Sequence, residues 1–352
     1  MSEPSPLHVT GAGAVTSVGL SLAASAAAIR AAVDNFHETQ FSDQDSNPLL
    51  GAAVALQLPG DVDGSRTGGS ERFGRMLAMA IEECLGNAGI ALPLPPGVPL
   101  LLLADDTRPG PLRDTAYAAY ARCAHFFAEP QQLHMQAFTS GESACISALA
   151  AAREFIANGA PAVLIAAVDS WLNVMDVRNG VRQDRFLADS QAAGFVPGEA
   201  AAAILLQAQA QAAAPALQLR GLGLAEEPAA FFGEQPCHGK GLAAAIRLAL
   251  AEAGLKAHEM DLRLCDVAGE DYFFEESAYA WGRVLRADLP PGYEYLQPAT
   301  RVGHVGAAFG PLLIGYLWQL AKVGRLRGPH ALVHLSSTQT LRGALVLSQR
   351  LH

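Results

Sequence analysis

The chain has 352 residues, a net charge of −10, 51% hydrophobic residues and only 16% charged ones. An acidic balance with no Lys/Arg-rich run excludes a nucleic-acid partner, and the low aromatic share leaves Ala, Leu and Val to fill the core. No stretch of about 18 or more apolar residues is free of charges and breakers, so no membrane span is expected, and no signal peptide is visible at Met1-Ser2-Glu3-Pro4.

Leu7 to Val15 reads as a buried strand ending in glycines, and residues 18–34 have helical periodicity. Residues 36–68 are polar and Gly/Asp-rich, hence loop. Arg72 to Gly89 reads as an amphipathic helix stopped by glycine. A Pro-rich linker, 93–98, leads into the strand Leu100 to Ala104, and a helix follows near 111–127. Thr139 to Asn158 reads as a helix, Ala162 to Val168 and Ala200 to Gln207 as buried strands. The Ala/Gln-rich stretch 206–216 is the candidate boundary between halves, which places the units at 1–208 and 209–352. Beyond it come a strand (Leu217 to Leu224), a helix (Gly239 to Ala253), a strand (Leu262 to Val267) and a helix (Glu275 to Leu285). A long helix, Val305 to Val323, and the strands Ala331 to Leu335 and Gly343 to Ser348 close the chain.

The two halves repeat one order: a loop, a long helix, a buried strand, an excursion and a final strand. Ser140-Gly141-Glu142 opens the helix in the first half and Val302-Gly303-His304 opens it in the second. The order predicts two α/β units related by duplication, with the helix-opening loops meeting at the centre.

Several motifs carry more than one reading. Gly11-Ala12-Gly13-Ala14-Val15-Thr16 lacks the third glycine of a dinucleotide fingerprint and reads as a tight turn. The helix entrance Thr139-Ser140-Gly141-Glu142-Ser143-Ala144-Cys145 offers free N–H groups to a thiolate, carboxylate or oxyanion. It also has the form of a capping box, Thr139-x-x-Glu142, in which Glu142 would satisfy the Thr139 N–H. Gly303-His304-Val305-Gly306-Ala307-Ala308-Phe309-Gly310 places a histidine at a glycine-rich helix entrance, where small residues let a ligand or another backbone come close. Phe195, in Gly194-Phe195-Val196-Pro197-Gly198-Glu199, either gates a pocket or simply packs. The five cysteines are odd in number, widely spread and form no CxxC, which suits a reduced, cytoplasmic compartment. Cys237-His238 are adjacent, so their side chains point apart, and no His or Cys spacing resembles a zinc site. No metal and no cofactor are expected.

Taken in order, these segments resemble the β-ketoacyl synthases of the thiolase-like fold over nearly the whole chain. Val9 to Thr16 looks like the family's opening strand and turn. Ser143 to Gly159 with Ala162 to Ser170 looks like its nucleophile helix and following strand. Asp189 to Glu199 is similar to the stretch ending in a Gly-Phe-x-x-Gly-Glu turn, and Val302 to Gly310 to its Gly-His-x-x-Gly-Ala-Ala-Gly segment. The resemblance implies an α/β fold in five layers, α/β/α/β/α, built from two duplicated halves.

The family's reaction uses a cysteine as acyl acceptor and two histidines that stabilise the enolate and oxyanion. Carried over by position, the cysteine slot falls on Glu142 and the first histidine slot on Ala268. The second histidine is His304, and Ser336 to Thr340 replaces the glycine-rich closing loop. Cys145 lies three residues past the nucleophile slot. Glu142 at a helix N-terminus is expected to be ionised; in related chain-length-factor and loading-module proteins a glutamine takes this place, similar in shape but not in charge. Ser143, Phe195 and Thr338 are the positions expected to line an acyl pocket.

The resemblance then implies a ketosynthase-like scaffold without condensing activity, a homodimer or the partner of an acyl-carrier protein, an active synthase or another protein. A second reading is an acyltransferase or malonyl decarboxylase acting on carrier-bound thioesters, with His304 and Glu142 as its working groups. Short synthase-like chains also look like accessory proteins of bacterial secretion and effector loci.

Overall fold

The computed structural model describes residues 7–57, 69–110, 112–189, 191–209 and 217–349. The 58–68 part of the predicted loop and most of the 206–216 boundary stretch lie outside the described residues.

The first half runs β1 (Leu7–Thr16), α1 (Leu22–Arg30), β2 (His37–Ser42), β3 (Pro48–Gly51), α2 (Ser70–Asn87) and β4 (Leu100–Leu103). It continues with α3 (Leu112–Ala121), β5 (Met135–Phe138), α4 (Ala144–Ala157), β6 (Val163–Ser170), α5 (Val174–Arg182) and β7 (Glu199–Gln207). The second half runs β8 (Leu217–Glu226), α6 (Lys240–Ala253), β9 (Leu262–Cys265), α7 (Asp271–Val284) and β10 (Glu294–Leu296). A short α8 (Ala299–Val302), α9 (Phe309–Lys322), β11 (His330–Ser336) and β12 (Leu341–Gln349) complete it.

Two five-stranded sheets of matching topology result. The first has the order β1-β7-β6-β4-β5 and the second β8-β12-β11-β9-β10. In each, the opening strand is antiparallel to the closing one, and the inner and edge strands run parallel. The sheets join edge to edge where β1 meets β8, through the pairs Leu7–Leu219, His8–Gln218 and Val9–Leu217.

Side-chain alternation along the strands makes the layers. Leu101, Leu103, Ile165 and Ala167 of the first sheet share one core with Leu264, Val333, Leu335 and Leu345 of the second, around the central helices α4 and α9. Their neighbours Leu100, Leu102, Leu164 and Ala166 face the other way, onto α2 and α3. Leu332, Ala344 and Val346 likewise face outward, onto α6. Both sheets are therefore covered on both faces, and the layers read α/β/α/β/α as the resemblance implied.

The structure corrects several boundaries. Residues 37–51 form the β2–β3 hairpin rather than loop. The helix at 18–34 is confined to Leu22–Arg30, because the Ser21 side chain caps it by accepting from the Ala24 N–H at 3.2 Å. The predicted helix 111–127 ends at Ala121. The two central helices start later than their periodicity suggests, each behind a 3-10 turn: Gly141–Ser143 before α4, Gly306–Ala308 before α9. Gly141 (φ 61°) and Gly306 (φ 53°) open those turns in the left-handed region, which interrupts the helix. The short elements β5, α5 and β10 had no counterpart in the sequence reading.

Candidate functional site

The two helix-opening turns meet at the middle of the molecule, and the meeting point is Glu142 with His304. Glu142 Oε1 lies 3.5 Å from His304 Nε2, with both side chains buried. One segment distant in sequence holds the histidine in place. Its N–H donates to the Val196 carbonyl at 2.8 Å, and its carbonyl accepts from Gly198 N–H at 3.0 Å. The Gly194–Glu199 motif thus lies directly against the Gly303–Gly310 motif. Gly198 is required there, since a Cβ would come within 2.5 Å of the Val302 carbonyl. The Gly306 N–H donates to His304 Nδ1 at 3.2 Å, which leaves the ring proton on Nε2, facing Glu142.

The capping box is not formed. Neither Ser140 nor Ser143 caps through its side chain, and Glu142 turns inward to His304 instead of back to Thr139. The surroundings of Glu142 work against the expected ionisation. Burial, with Asp105 and Asp266 nearby, pushes its carboxyl well above the usual carboxylate range, against smaller opposing effects from its own N–H and Arg108. His304 is pushed the other way, well below its ordinary value, by burial and by Arg185 and Arg108. The surroundings of the pair favour the uncharged form of each group, and at Glu142 they oppose the helix dipole.

Aromatic rings enclose His304. Phe195 is 4.6 Å away between ring centroids, and Trp171 and Phe309 are each at 5.4 Å. Phe195 is itself fully buried between Trp171 and Phe186, at 4.9 and 5.1 Å. Arg185 lies over both Trp171 and Phe195 and forms a two-point pair with Glu270, at 2.7 and 2.9 Å. Glu270 follows Ala268-Gly269, the stretch in the first histidine slot. Ala268 packs against the cluster of Trp171 and Phe195. Gly269 (φ 139°) sits so close to Gly194 that a side chain there would collide with its carbonyl.

Sequence reasoning missed the charged floor of the site. Arg108 pairs with Asp169, with Asp105 at 3.0 Å and with Asp176 at 3.4 Å, and stacks over Trp171 at 4.2 Å. Asp169 also accepts from the Ala307 N–H at 2.8 Å, so it braces the turn that follows His304. Asp266 accepts from the Ser336 N–H at 2.8 Å and is pushed up to about 7, chiefly by burial. These residues lie at strand ends far apart in sequence and share no motif. Their one visible signal was position: Asp105, Asp169 and Asp266 each stand at or just past the end of a parallel strand, where α/β folds place their sites.

The remaining candidates have other attachments. The Ser143 hydroxyl donates to the Leu341 carbonyl at 3.1 Å and the Leu335 carbonyl at 3.4 Å, tying the start of α4 to the second sheet. Thr338 is half-buried in the loop after β11, and its side chain makes no hydrogen bond among the described residues. Arg342 anchors that loop by donating to the carbonyls of Ser337, Gln339 and Leu341 at 2.6–3.0 Å. Cys145 is fully buried between α4 and α9, where Gly310 leaves it room, and burial pushes its thiol up, away from the thiolate. Among the described residues, the one cluster of three metal-capable side chains lies elsewhere and includes neither Glu142 nor His304.

No family model matches the chain. In sequence it is similar to a Streptomyces coelicolor protein described as an actinorhodin polyketide beta-ketoacyl synthase 2, with 32% identity over 192 residues. That match takes in 50% of this chain and 46% of the relative, so less than half of the relative's length is spanned. In fold it is similar to the ishigamide ketosynthase/chain length factor, with a TM-score of 0.71, 20% identity and 98% and 99% of the two chains covered. It is similar too to the ketosynthase ApeO in complex with its chain length factor ApeC from Xenorhabdus doucetiae (TM-score 0.74, 16% identity, 99% of each chain). A beta-ketoacyl synthase from Burkholderia phymatum gives 0.70 at 16% identity, over 99% of this chain and 100% of that one. The fold is that of the ketosynthases.

Proposed function

We propose that this chain is a ketosynthase-like subunit without condensing activity, working in the cytoplasm by binding a protein partner. The observation that carries the reading is the buried Glu142–His304 pair, closed in by Phe195, Trp171 and Phe309. A condensing site needs a thiolate at the helix entrance, and the only nearby thiol, Cys145, is buried one turn further in. An acyl chain needs room beside the histidine, and Phe195 occupies that space. Two of the fold neighbours are described as a ketosynthase together with a chain length factor, which favours a polyketide-type partner over a secretion locus. The sheet edge supports a docked partner as well: among the described residues β5 pairs only with β4, which leaves its other side to bind an added strand.

The test combines co-purification and turnover. The full chain, tagged in its native host, is expected to bring down a ketosynthase-type protein or an acyl-carrier protein. Recovery of copies of itself alone would favour a homodimer instead. With radiolabelled acyl- and malonyl-thioesters of CoA and carrier protein, neither covalent label nor CO2 release is expected. Label or CO2 release that disappears in His304→Ala would replace this reading by the second one, an acyltransferase or malonyl decarboxylase using His304 with Glu142. What favours that alternative is that the pair is retained face to face.

A further inference from the structure

Glu227, Cys237 and Glu276 converge beneath α7 on the outer side of the second sheet, away from Glu142 and His304. Among the described residues they are the one group of three metal-capable side chains whose ligand atoms all lie within 4.8 Å of one another. They come from three segments: the end of β8, the loop before α6, and α7 itself.

Each carboxylate is oriented by one oxygen and leaves capacity on the other. The Gly241 N–H donates to Glu227 Oε2 at 2.7 Å, while Oε1 has only a long contact, 3.5 Å, with the Ala229 N–H. Arg342 Nε donates to Glu276 Oε1 at 2.6 Å. Glu276 is fully buried, yet its Oε2 has no hydrogen-bond partner; the Ser336 hydroxyl is near enough to be felt but falls short of hydrogen-bond geometry. A buried carboxylate oxygen without a donor is unfavourable unless something occupies it. Cys237 Sγ lies 4.0 Å from Glu276 Oε1. A cavity of about 170 Å³, lined in part by Glu227, Gln235 and His238, opens beside the group and gives an ion a way in.

From this geometry we infer that Glu227, Cys237 and Glu276 bind a divalent cation of the zinc type, with water or solvent in the remaining position. Two carboxylates and one thiolate carry three negative charges. The Arg342 guanidinium offsets one, and a divalent ion balances the remaining two. One sulfur and two oxygens suit zinc or cobalt better than calcium or magnesium, which prefer all-oxygen shells. On binding, the Cys237 thiol gives its proton to solvent and its sulfur pairs with the ion; no electron is transferred. The role is structural. Arg342 orients Glu276 and also holds the carbonyls of Ser337, Gln339 and Leu341, so an ion here ties the loop after β11 to α7.

Cobalt is the probe, on the full chain after treatment with a chelator. The wild type is expected to take up about one equivalent, with a near-ultraviolet thiolate-to-cobalt band and visible bands of a four-coordinate ion. Cys237→Ser loses the near-ultraviolet band, and Glu227→Gln weakens uptake about tenfold or more. Zinc raises the melting temperature of the wild type and not of Glu227→Gln, which provides the readout should Cys237→Ser fail to fold. Absence of cobalt bands and of a zinc shift in the wild type overturns the site. Retention of both in the two variants overturns the assignment to these residues.

Discussion

Glu142 Oε1 and His304 Nε2 face each other at 3.5 Å across the junction of the two halves, and burial favours the uncharged form of each. The contact is therefore a dipolar one between an acid and an imidazole, and its sensitivity to pH follows from which state holds the proton. In the folded protein Glu142 keeps its proton above 4.5, its ordinary value, whereas in the unfolded chain it has lost it. Its contribution is complete below about pH 4.5 and is lost as pH rises through the raised folded value. Glu142→Gln cannot titrate. Wild type should thus lose stability relative to Glu142→Gln as pH rises above about 4.5, measured by urea denaturation over a pH series. A stability difference that stays flat with pH would count against a neutral Glu142.

Arg108 answers three carboxylates at once, Asp105, Asp169 and Asp176, while almost wholly buried. Arg108→Met leaves those acids without their counter-charge and should destabilise the fold by about 3–5 kcal/mol. Arg108→Lys should recover only part of that, because one ammonium cannot reproduce a planar guanidinium that meets three partners and stacks on Trp171. Chemical denaturation of the two variants checks the order. Equal stability of Lys and wild type would show that charge alone, not geometry, matters at the floor of the site.

Phe195 fills the space beside His304. Phe195→Ala should cost about 3–5 kcal/mol through the cavity it leaves. It should also let water reach the imidazole, so the His304 pKa moves upward toward its ordinary 6.5. The shift is read from the His304 ring signal in an NMR pH titration. A ring that stays as hard to protonate as before would place the cause in Arg185 and Arg108 rather than in burial.

The body of the fold was legible because its signals are local and periodic. Leu100 to Leu103 and Val163 to Val168 are continuous apolar runs, as strands covered on both faces must be. The pairing of two helix-opening turns followed from the repeated order of elements, and it placed Glu142 and His304 in one site. What stayed hidden depends on long-range contact. β5 and β10 are short edge strands that gain their structure from β4 and β9. Arg108, Asp169 and Asp266 share no spacing, and the Glu142 carboxyl is pushed up by burial and by Asp105 and Asp266, none of which its neighbours in sequence reveal. The capping box failed for the same reason: His304, 162 positions away, competes successfully for the glutamate that Thr139 would have used.

Cys145 decides whether a nucleophile survives anywhere near the helix entrance. Its sulfur lies in the seam between α4 and α9, at a point where a Cβ on Gly310 would come within 2.6 Å of it. It has no exposed surface, and burial pushes its thiol up rather than down. A reactive cysteine needs the reverse, a lowered pKa and access to reagent. In the native protein Cys145 should therefore resist an alkylating reagent and react only when denaturant opens the α4–α9 seam, with the modified site read by peptide mass. The seam holds β1 and both sheets together, so its opening should track global unfolding rather than a local fluctuation. Cys145→Ala should lose about 1 kcal/mol or less, because the seam is tight and the missing volume is a single sulfur. Fast alkylation of Cys145 under native conditions, at a rate unrelated to unfolding, would reveal an accessible thiolate and undo the reading of this chain as a non-condensing subunit.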